Sequence, residues 1–212
     1  LVALYTMNGA VTDRSKQGND AKMYAAEYGP GRTGGQAALF PPDKGGVIQV
    51  DQFKGLKGGA GFAVAAWVKA STTAGERGIV SQWPAWADDC SWMLEIAPDS
   101  AKLRLGLSAS GDGADLVEVT SDKSLAANRW THVAASFDGK TATLYIDGKQ
   151  AGRKQCEGDL HRTDGCLFIG ARGHETDEVE TAMFEGSLDD VAVFKVPLDA
   201  ASVKAIMQGA LQ

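Results

Sequence analysis

Two Asp-Gly pairs separate segments rich in β-branched and aromatic residues, and they constrain the fold more than any other feature of this chain. Asp138-Gly139 follows residues 130–137 (WTHVAASF), and Asp147-Gly148 follows residues 144–146 (LYI). Asp-Gly is favoured in two-residue hairpin loops because these loops need positive φ, which glycine adopts freely and aspartate tolerates. About twenty residues therefore predict consecutive antiparallel hairpins, and with them an all-β protein.

Alternating apolar and polar residues recur along the chain and predict many more strands. In residues 62–68, Phe62, Val64 and Val68 fall on one face and Trp67 on the other. Strands are predicted at 1–7, 38–40, 47–51, 62–69, 78–81, 92–96, 103–107, 117–120, 131–137, 143–147, 167–171 and 184–195. Strands this numerous predict a two-sheet antiparallel β-sandwich or jelly roll, interpreted as a single domain over residues 1–212.

Two segments depart from this pattern. Residues 28–35 (YGPGRTGG) are rich in glycine and are interpreted as irregular. Residues 200–208 place apolar side chains at helical spacing after Asp199, a favoured N-cap residue. At most one short C-terminal helix is therefore expected.

Composition and charge exclude some classes of function. The chain has 212 residues, 44% of them hydrophobic, which is enough for one sizeable core. Its net charge of −6 argues against a nucleic-acid partner, which needs a basic stripe. No apolar run approaches the roughly 20 residues that span a bilayer. Because the chain begins at Leu1 inside a strand-like pattern, it is interpreted as a mature protein or an excised domain.

Three cysteines bear on the cellular compartment. Cys156 and Cys166 flank a polar loop that contains Gly158 and Gly165, and a disulfide between them is predicted. Such a bridge implies an oxidising environment, hence a secreted, periplasmic or cell-surface protein. The alternative is three reduced thiols in a reducing cytosol. Cys90 is left over.

Several segments, taken in order, resemble the laminin-G-like domains of the concanavalin A-like lectin/glucanase superfamily. These domains typically carry a W-x-H-V-A strand, a D-G turn and an L-Y-V-D-G strand, and Ile146 takes the usual valine position. Residues 13–20 (DRSKQGND) are similar to the family loop D-x-S-G-x-G-N, with Lys16 where glycine is usual. Residues 62–69 (FAVAAWVK) and 184–191 (FEGSLDDV) match further family segments. The resemblance implies a concanavalin A-like jelly roll, a fold that hosts lectins, glycosidases and adhesion modules alike.

The resemblance also implies a structural calcium ion. Its matching positions are Asp13, Gly18, Asn19, Asp189 and Asp190, which the first and last segments of such a sandwich would bring together. Calcium takes about 6–8 oxygen ligands, and a glycine lets the loop backbone turn inward. The alternative is that the first aspartate only caps its turn and that the last two face solvent.

The carboxylate pattern of glycosidases on this fold is not found. Retaining members carry two catalytic carboxylates on an E-x-D-x-x-E strand. The nearest candidates are Glu95 with Asp99, interrupted by Pro98, and the polar run 177–180 (DEVE). No catalytic residue is therefore assigned, and the chain is expected not to be an enzyme.

The three histidines do not change this expectation. His132 lies in a predicted strand and resembles a structural histidine of the family. His161 and His174 lie in loops near acidic residues, but no two histidines share a tight metal-ligand spacing.

An aromatic and acidic segment, residues 83–92 (WPAWADDCSW), is the strongest candidate for a ligand site. Trp83 and Trp86 beside Asp88 and Asp89 offer flat rings for sugar faces and oxygens for sugar hydroxyls. The alternative is that the rings cap the core, since large aromatics bury much area, and Trp92 is assigned to that role.

The leading interpretation is a non-catalytic binding module of a secreted or cell-envelope protein. It would recognise carbohydrate or an extracellular protein through loops at one end of the sandwich. Neither nucleic-acid binding nor membrane insertion is expected, and a larger multidomain protein is expected around it. The alternatives are a glycoside hydrolase of the same superfamily and a structural spacer domain.

Overall fold

The computed structural model describes residues 1–42, 44–56, 61–83, 89–173 and 182–211. These residues form fifteen strands and one helix. The first strands are β1 (Ala3–Tyr5), β2 (Lys22–Tyr24), β3 (Glu27–Pro30), β4 (Gln36–Phe40), β5 (Val47–Val50), β6 (Phe62–Ala70), β7 (Arg77–Gln82) and β8 (Trp92–Ile96). The others are β9 (Lys102–Leu107), β10 (Val117–Ser124), β11 (Thr131–Phe137), β12 (Thr141–Ile146), β13 (Lys149–Gln155), β14 (Leu167–Ile169) and β15 (Gly186–Phe194), and the helix is α1 (Ala200–Met207).

The strands form two antiparallel sheets that pack as a sandwich, so the predicted fold class is confirmed. The first sheet has the order β13-β12-β11-β6-β15-β4-β3, with β1 added to β15. The second sheet has the order β10-β9-β8-β7-β14-β5-β2. The core lies between them and takes the inward-facing residues of both sheets.

Strand β6 shows why the alternation of residues in the sequence predicted the buried face of the sheet correctly. Phe62, Val64 and Val68 are buried in the core between the sheets, as predicted. Trp67 points to the outer face of the first sheet, where its ring contacts His132 and Arg32. Successive side chains of a strand point to opposite faces, so the sequence pattern fixes which face is buried.

The two Asp-Gly turns differ in length. Asp147 and Gly148 have φ of 49° and 73° and join Ile146 directly to Lys149, which is the predicted two-residue hairpin loop. The first turn is longer, because four residues lie between the paired Phe137 and Ala142, and only Gly139 among them adopts positive φ. There the Asp138 carboxylate closes the turn by accepting hydrogen bonds from the backbone N–H groups of Lys140 and Thr141.

Strands were missed at the edges of the sheets. The segment predicted to be irregular contains most of β3, which pairs with β4 at the edge of the first sheet. Strands β2 and β13 were also not predicted, and both are edge strands with mostly exposed side chains. An edge strand with few buried side chains lacks the alternation on which the sequence argument depends.

The C-terminal helix is confirmed with its cap. Asp199 precedes α1, and its Oδ1 accepts a hydrogen bond of 2.8 Å from the backbone N–H of Ser202. Val203 is buried against Ala65, Ala134 and Tyr145 on the outer face of the first sheet. No helix in the described part of the chain is long and apolar enough to cross a membrane.

The predicted disulfide is wrong, because Cys156 and Cys166 are both free cysteines in the structure. Cys156 follows β13 at the edge of the first sheet, whereas Cys166 precedes β14 in the interior of the second sheet. The intervening chain thus crosses from one sheet to the other, and stacked sheets lie about 10 Å apart. The Cys166 thiol instead donates to the carbonyl oxygen of Asp51.

Alkylation should therefore modify both thiols without prior reduction. We expect iodoacetamide to label Cys156 and Cys166 completely in unfolded, non-reduced protein, as read by peptide mass spectrometry. A reduced and alkylated sample is the control. Recovery of a peptide pair linked through these two residues would contradict the structure.

Candidate functional site

Loops from both sheets meet at one end of the sandwich, which we call the loop end. It comprises Trp83, residues 89–91, the β9–β10 loop (residues 108–116) and the β13–β14 loop (residues 156–166). Backbone hydrogen bonds join them: Cys90 N–H to the Gly111 carbonyl (2.7 Å), Ser108 N–H to that of Ser91 (2.8 Å), and His161 N–H to that of Ser108 (2.9 Å). Three loops distant in sequence are thus fixed against one another.

Asp89 is at the centre of a polar cluster in the loop end. Its Oδ1 lies 3.2 Å from Nε2 of His161, and its Oδ2 accepts a hydrogen bond of 2.6 Å from the Thr163 hydroxyl. The Thr163 hydroxyl in turn accepts a bond from the backbone N–H of Gly165. A carboxylate has about four acceptor positions, so this one keeps capacity for a ligand.

Trp83 belongs to the same loop end and is only half-buried. Its ring lies against Gly113, where an added Cβ would stand 3.1 Å from Cζ2 of the indole. Gly111 on the same loop is closer still to the ring of His161, since an added Cβ would stand 2.7 Å from Nδ1. One glycine-containing loop therefore supports both Trp83 and the partner of Asp89.

Trp92 has the opposite environment, as the sequence predicted. It is fully buried, its ring centroid lies 5.0 Å from that of Phe62, and its Nε1 donates a 3.0 Å hydrogen bond to the side chain of Gln82. Trp92 is therefore a core residue. Trp86 and Asp88 lie outside the described residues.

Two carboxylates, Asp112 and Asp115, hold the β9–β10 loop together, and Asp115 accepts more of the hydrogen bonds. Asp115 accepts hydrogen bonds from the hydroxyls of Ser108 and Ser110 and from the backbone N–H groups of Ala109 and Ser110. Burial pushes the pKa of Asp115 upward, but these bonds outweigh it and hold that pKa below its usual range. The loop is thus closed by an ionised side chain at neutral pH.

A cavity of about 270 Å³ opens at the loop end. Leu107 and Val117 of the second sheet, Phe137 of the first sheet, and Leu160 of the β13–β14 loop contribute its apolar walls. Asp115, Glu157 and Asp159 are among its polar lining residues. The cavity is therefore a gap between the ends of β9, β10 and β11 that the β13–β14 loop does not fill.

The first predicted calcium residues form a hydrogen-bonded loop instead of an open oxygen cluster. Asp13 is buried and accepts bonds from the backbone N–H groups of Leu4, Ser15 and Asn19 and from the Ser15 hydroxyl. The Asn19 side-chain oxygen accepts from the Lys54 N–H. Gly18 has φ of 77°, as the loop requires.

The last predicted calcium residues lie in a bulge of β15 beside a cation. The guanidinium of Arg32 lies 3.7 Å from the Asp190 carboxylate and 4.1 Å from the centroid of the Trp67 ring. Burial, and then the charge of Asp190, raises the pKa of Asp189 to about 6.

As placed, the five residues do not fit one shared calcium ion. A calcium ion would have to displace the protein groups that already donate hydrogen bonds to these oxygens. Among the residues described here, no group of three or more His, Cys, Asp and Glu side chains could hold a metal ion. Calcium binding by this set stays a prediction.

Glu95, a residue considered for catalysis, belongs to an ion-pair network on the outer face of the second sheet. It is fully buried and pairs with Arg104, which also pairs with Glu76 (2.6 Å) and Glu118 (2.9 Å). Burial raises the pKa of Glu95, and the charge of Arg104 opposes that rise. The other candidates, residues 177–180, and His174 lie outside the described residues.

His132 packs as a structural residue. It is buried, and its ring lies edge-on to Trp67 with centroids 5.3 Å apart. Burial lowers its pKa to about 4, so the ring is neutral at pH 7.

Sequence reasoning weighed His161 only for a metal site, and it missed the contacts of His161 and Thr163 with Asp89 as well as the cavity. Nothing in the spacing of residues 161–163 and Asp89 connects them, because their contacts span more than 70 positions. The cavity depends on how completely one loop fills the end of the sandwich, which no local pattern encodes.

Comparisons with known proteins agree with this architecture. The family model described as the concanavalin A-like lectin/glucanases superfamily matches residues 42–204. Domain 4 of AbnA, a GH43 extracellular arabinanase from Geobacillus stearothermophilus, in complex with arabinotriose, is 17% identical over 98% of both chains, with a TM-score of 0.73.

Bacterial toxin domains have similar structures. The botulinum neurotoxin serotype C1 binding domain has a TM-score of 0.74 at 12% identity, over 100% of this chain and 52% of that one. The botulinum neurotoxin DC binding domain in complex with SialylT has a TM-score of 0.72 at 13% identity, over 100% and 51% of the two chains. The chain thus spans about half the length of the toxin domains. A search of curated protein sequences finds no significant match.

Proposed function

The chain belongs to the concanavalin A-like lectin/glucanase superfamily, and we propose that it is a non-catalytic module that binds carbohydrate at the loop end. The observation that carries the proposal is that one loop, residues 108–116, packs against both the half-buried Trp83 ring and His161, the partner of Asp89. An aromatic face packs against the apolar face of a sugar ring, while convergent polar groups exchange hydrogen bonds with its hydroxyls.

The loop end is suited to recognition because it is preorganised. Its loops are joined by backbone hydrogen bonds, and Asp115 closes the β9–β10 loop from within. Groups fixed before binding lose little conformational entropy when the ligand arrives. Loops held by a rigid sandwich are also the usual place for binding residues.

The structural relatives support a carbohydrate rather than another ligand class. One is a domain of an arabinanase in complex with arabinotriose, and another is a toxin binding domain in complex with SialylT. The arabinanase is extracellular, and both structures are single domains of larger proteins. We accordingly propose that this chain is part of an extracellular multidomain protein.

A glycoside hydrolase is the competing function on this fold, and Glu95 is its nearest candidate residue. The ion pair with Arg104 and the full burial of Glu95 favour a structural role. Reducing-end assays on arabinan and on β-glucan separate the two functions. Turnover that disappears in Glu95→Gln, with the fold intact, would support the hydrolase.

Two substitutions at the loop end test the proposal. We expect Trp83→Ala to weaken binding of arabinotriose or sialylated oligosaccharide about tenfold or more, because it removes the stacking surface. Asp89→Asn should weaken binding in the same direction by removing a charged acceptor. Isothermal titration calorimetry measures both, using whichever glycan the wild-type chain binds on an array.

Tyr24→Ala is the matched control, because Tyr24 is an exposed aromatic on β2, at the opposite edge of the second sheet from β10. The Tyr24→Ala variant should bind the glycan with the affinity of the wild type. Unchanged affinity in Trp83→Ala and Asp89→Asn, in folded protein, would place the carbohydrate site elsewhere. Absence of any glycan binding would favour the spacer function.

A further inference from the structure

We propose that the cavity at the loop end receives a lysine side chain from a partner protein. This site is separate from the carbohydrate site, since neither Trp83 nor Asp89 lines the cavity. The inference rests on three properties of the cavity: apolar walls, an acidic rim and a small volume.

The walls match an alkyl stem. Leu107 and Phe137 are almost completely buried, so the cavity reaches the interior between the two sheets, and Val117 and Leu160 continue the apolar surface outward. Hydroxyl groups placed against such walls would lose their hydrogen bonds to water without replacement. The methylene stem of lysine has no polar group to desolvate and packs along apolar surface while its charged end stays at the water.

The rim matches an ammonium group. The residues that line the cavity include three carboxylates, Asp115, Glu157 and Asp159, and no lysine, arginine or histidine. Asp115 stays ionised because its hydrogen bonds hold its pKa low, and Glu157 and Asp159 are exposed beside the opening. Charge complementarity therefore selects a cation whose head group remains at the surface.

The volume matches a single side chain. At about 270 Å³, the cavity is slightly smaller than the roughly 300–1,000 Å³ typical of ligand pockets. One long side chain inserted from a partner's surface needs less room than an oligosaccharide. The geometry thus assigns the cavity to an anchor residue of a protein partner.

Cys156 provides a direct readout, because it lines the cavity, whereas Cys166 does not. The test measures the rate at which iodoacetamide alkylates each thiol in the native chain, with increasing Nα-acetyl-lysine methylamide. We expect the lysine probe to slow alkylation of Cys156 in a saturable way and to leave Cys166 unchanged. Nα-acetyl-norleucine methylamide, which keeps the stem and lacks the ammonium, should protect roughly two- to fivefold less well.

The rim is tested by the paired substitution Glu157→Gln and Asp159→Asn, which alters two exposed side chains and keeps their shapes. It should weaken protection by the lysine probe and leave that by the norleucine probe unchanged. Equal protection by the two probes in wild-type protein, protection by arabinotriose instead, or no saturable protection of Cys156 would overturn the proposal. The comparison of the lysine and norleucine probes does not depend on glycan binding, which the Trp83 and Asp89 variants test separately.

Discussion

Trp92→Ala should lower the free energy of unfolding by about 3–5 kcal/mol, the largest loss expected from a single truncation in this chain. The indole is fully buried at the loop end of the core and packs against Phe62. Its removal leaves a cavity that the two sheets cannot close, because their spacing is set by every other core side chain. It also deprives the buried side-chain oxygen of Gln82 of its donor, which adds a desolvation cost.

Trp83→Ala is the matched comparison, since it removes the same ring from the same end of the sandwich. That ring is half-buried against a loop, so its loss should cost less than about 1.5 kcal/mol. Chemical denaturation of both variants measures the difference in free energy. Similar losses of several kcal/mol would make Trp83 a core residue and remove the basis of the proposed carbohydrate site.

The central strands could be predicted from the sequence because their side chains point alternately to the inter-sheet core and to the outer face. Both faces of β6 and β11 are largely covered, but the larger apolar side chains fall on the core face, so the fold class and the central strands followed directly. Strands β2, β3 and β13 lie at sheet edges, where one or both faces are exposed to solvent. Such strands do not need alternating apolar and polar residues. An edge strand forms because it pairs with a neighbouring strand, and the local sequence pattern holds no information about that neighbour.

The loop end could be predicted only in part. The segment from residue 83 was found because aromatic and acidic residues cluster in its sequence. The hydrogen-bond partners of Asp89, by contrast, belong to a loop more than 70 residues away in the sequence. The disulfide prediction failed for a related reason: short separation in sequence suggested proximity, whereas the chain between Cys156 and Cys166 passes from one sheet to the other.

The loop of residues 13–20 shows that the same residue types can form either a calcium site or a turn closed by hydrogen bonds. Asp13, Gly18 and Asn19 resemble a calcium loop, yet in the structure the carboxylate organises backbone N–H groups. Lys16, which replaces the family's usual glycine, adopts φ of 65°. That strain costs about 1–2 kcal/mol, and the hydrogen bonds to Asp13 offset it.

Asp13→Asn should therefore lower the free energy of unfolding by about 2–4 kcal/mol at pH 7. The amide has the size of the carboxylate, but one of its two ends donates, so it cannot accept all the bonds from Leu4, Ser15 and Asn19. Asp20→Asn is the control in the same loop, because Asp20 is exposed and accepts a single bond from the Asp13 N–H. The control should lose less than about 1 kcal/mol.

The pH dependence of stability separates this role from calcium binding. Burial raises the pKa of Asp13, but the hydrogen bonds from Ser15, Asn19 and Leu4 outweigh it and hold the pKa in the folded protein below its usual value. The unfolded state then binds more protons, so the stabilisation is complete above about pH 4 and is lost as the pH falls through the folded pKa. The gap between wild type and Asp13→Asn should close over that range, in chelator as in calcium. If the loop instead holds calcium, millimolar ion over a micromolar site adds about 4 kcal/mol to the wild type alone, and a chelator abolishes the gap at pH 7.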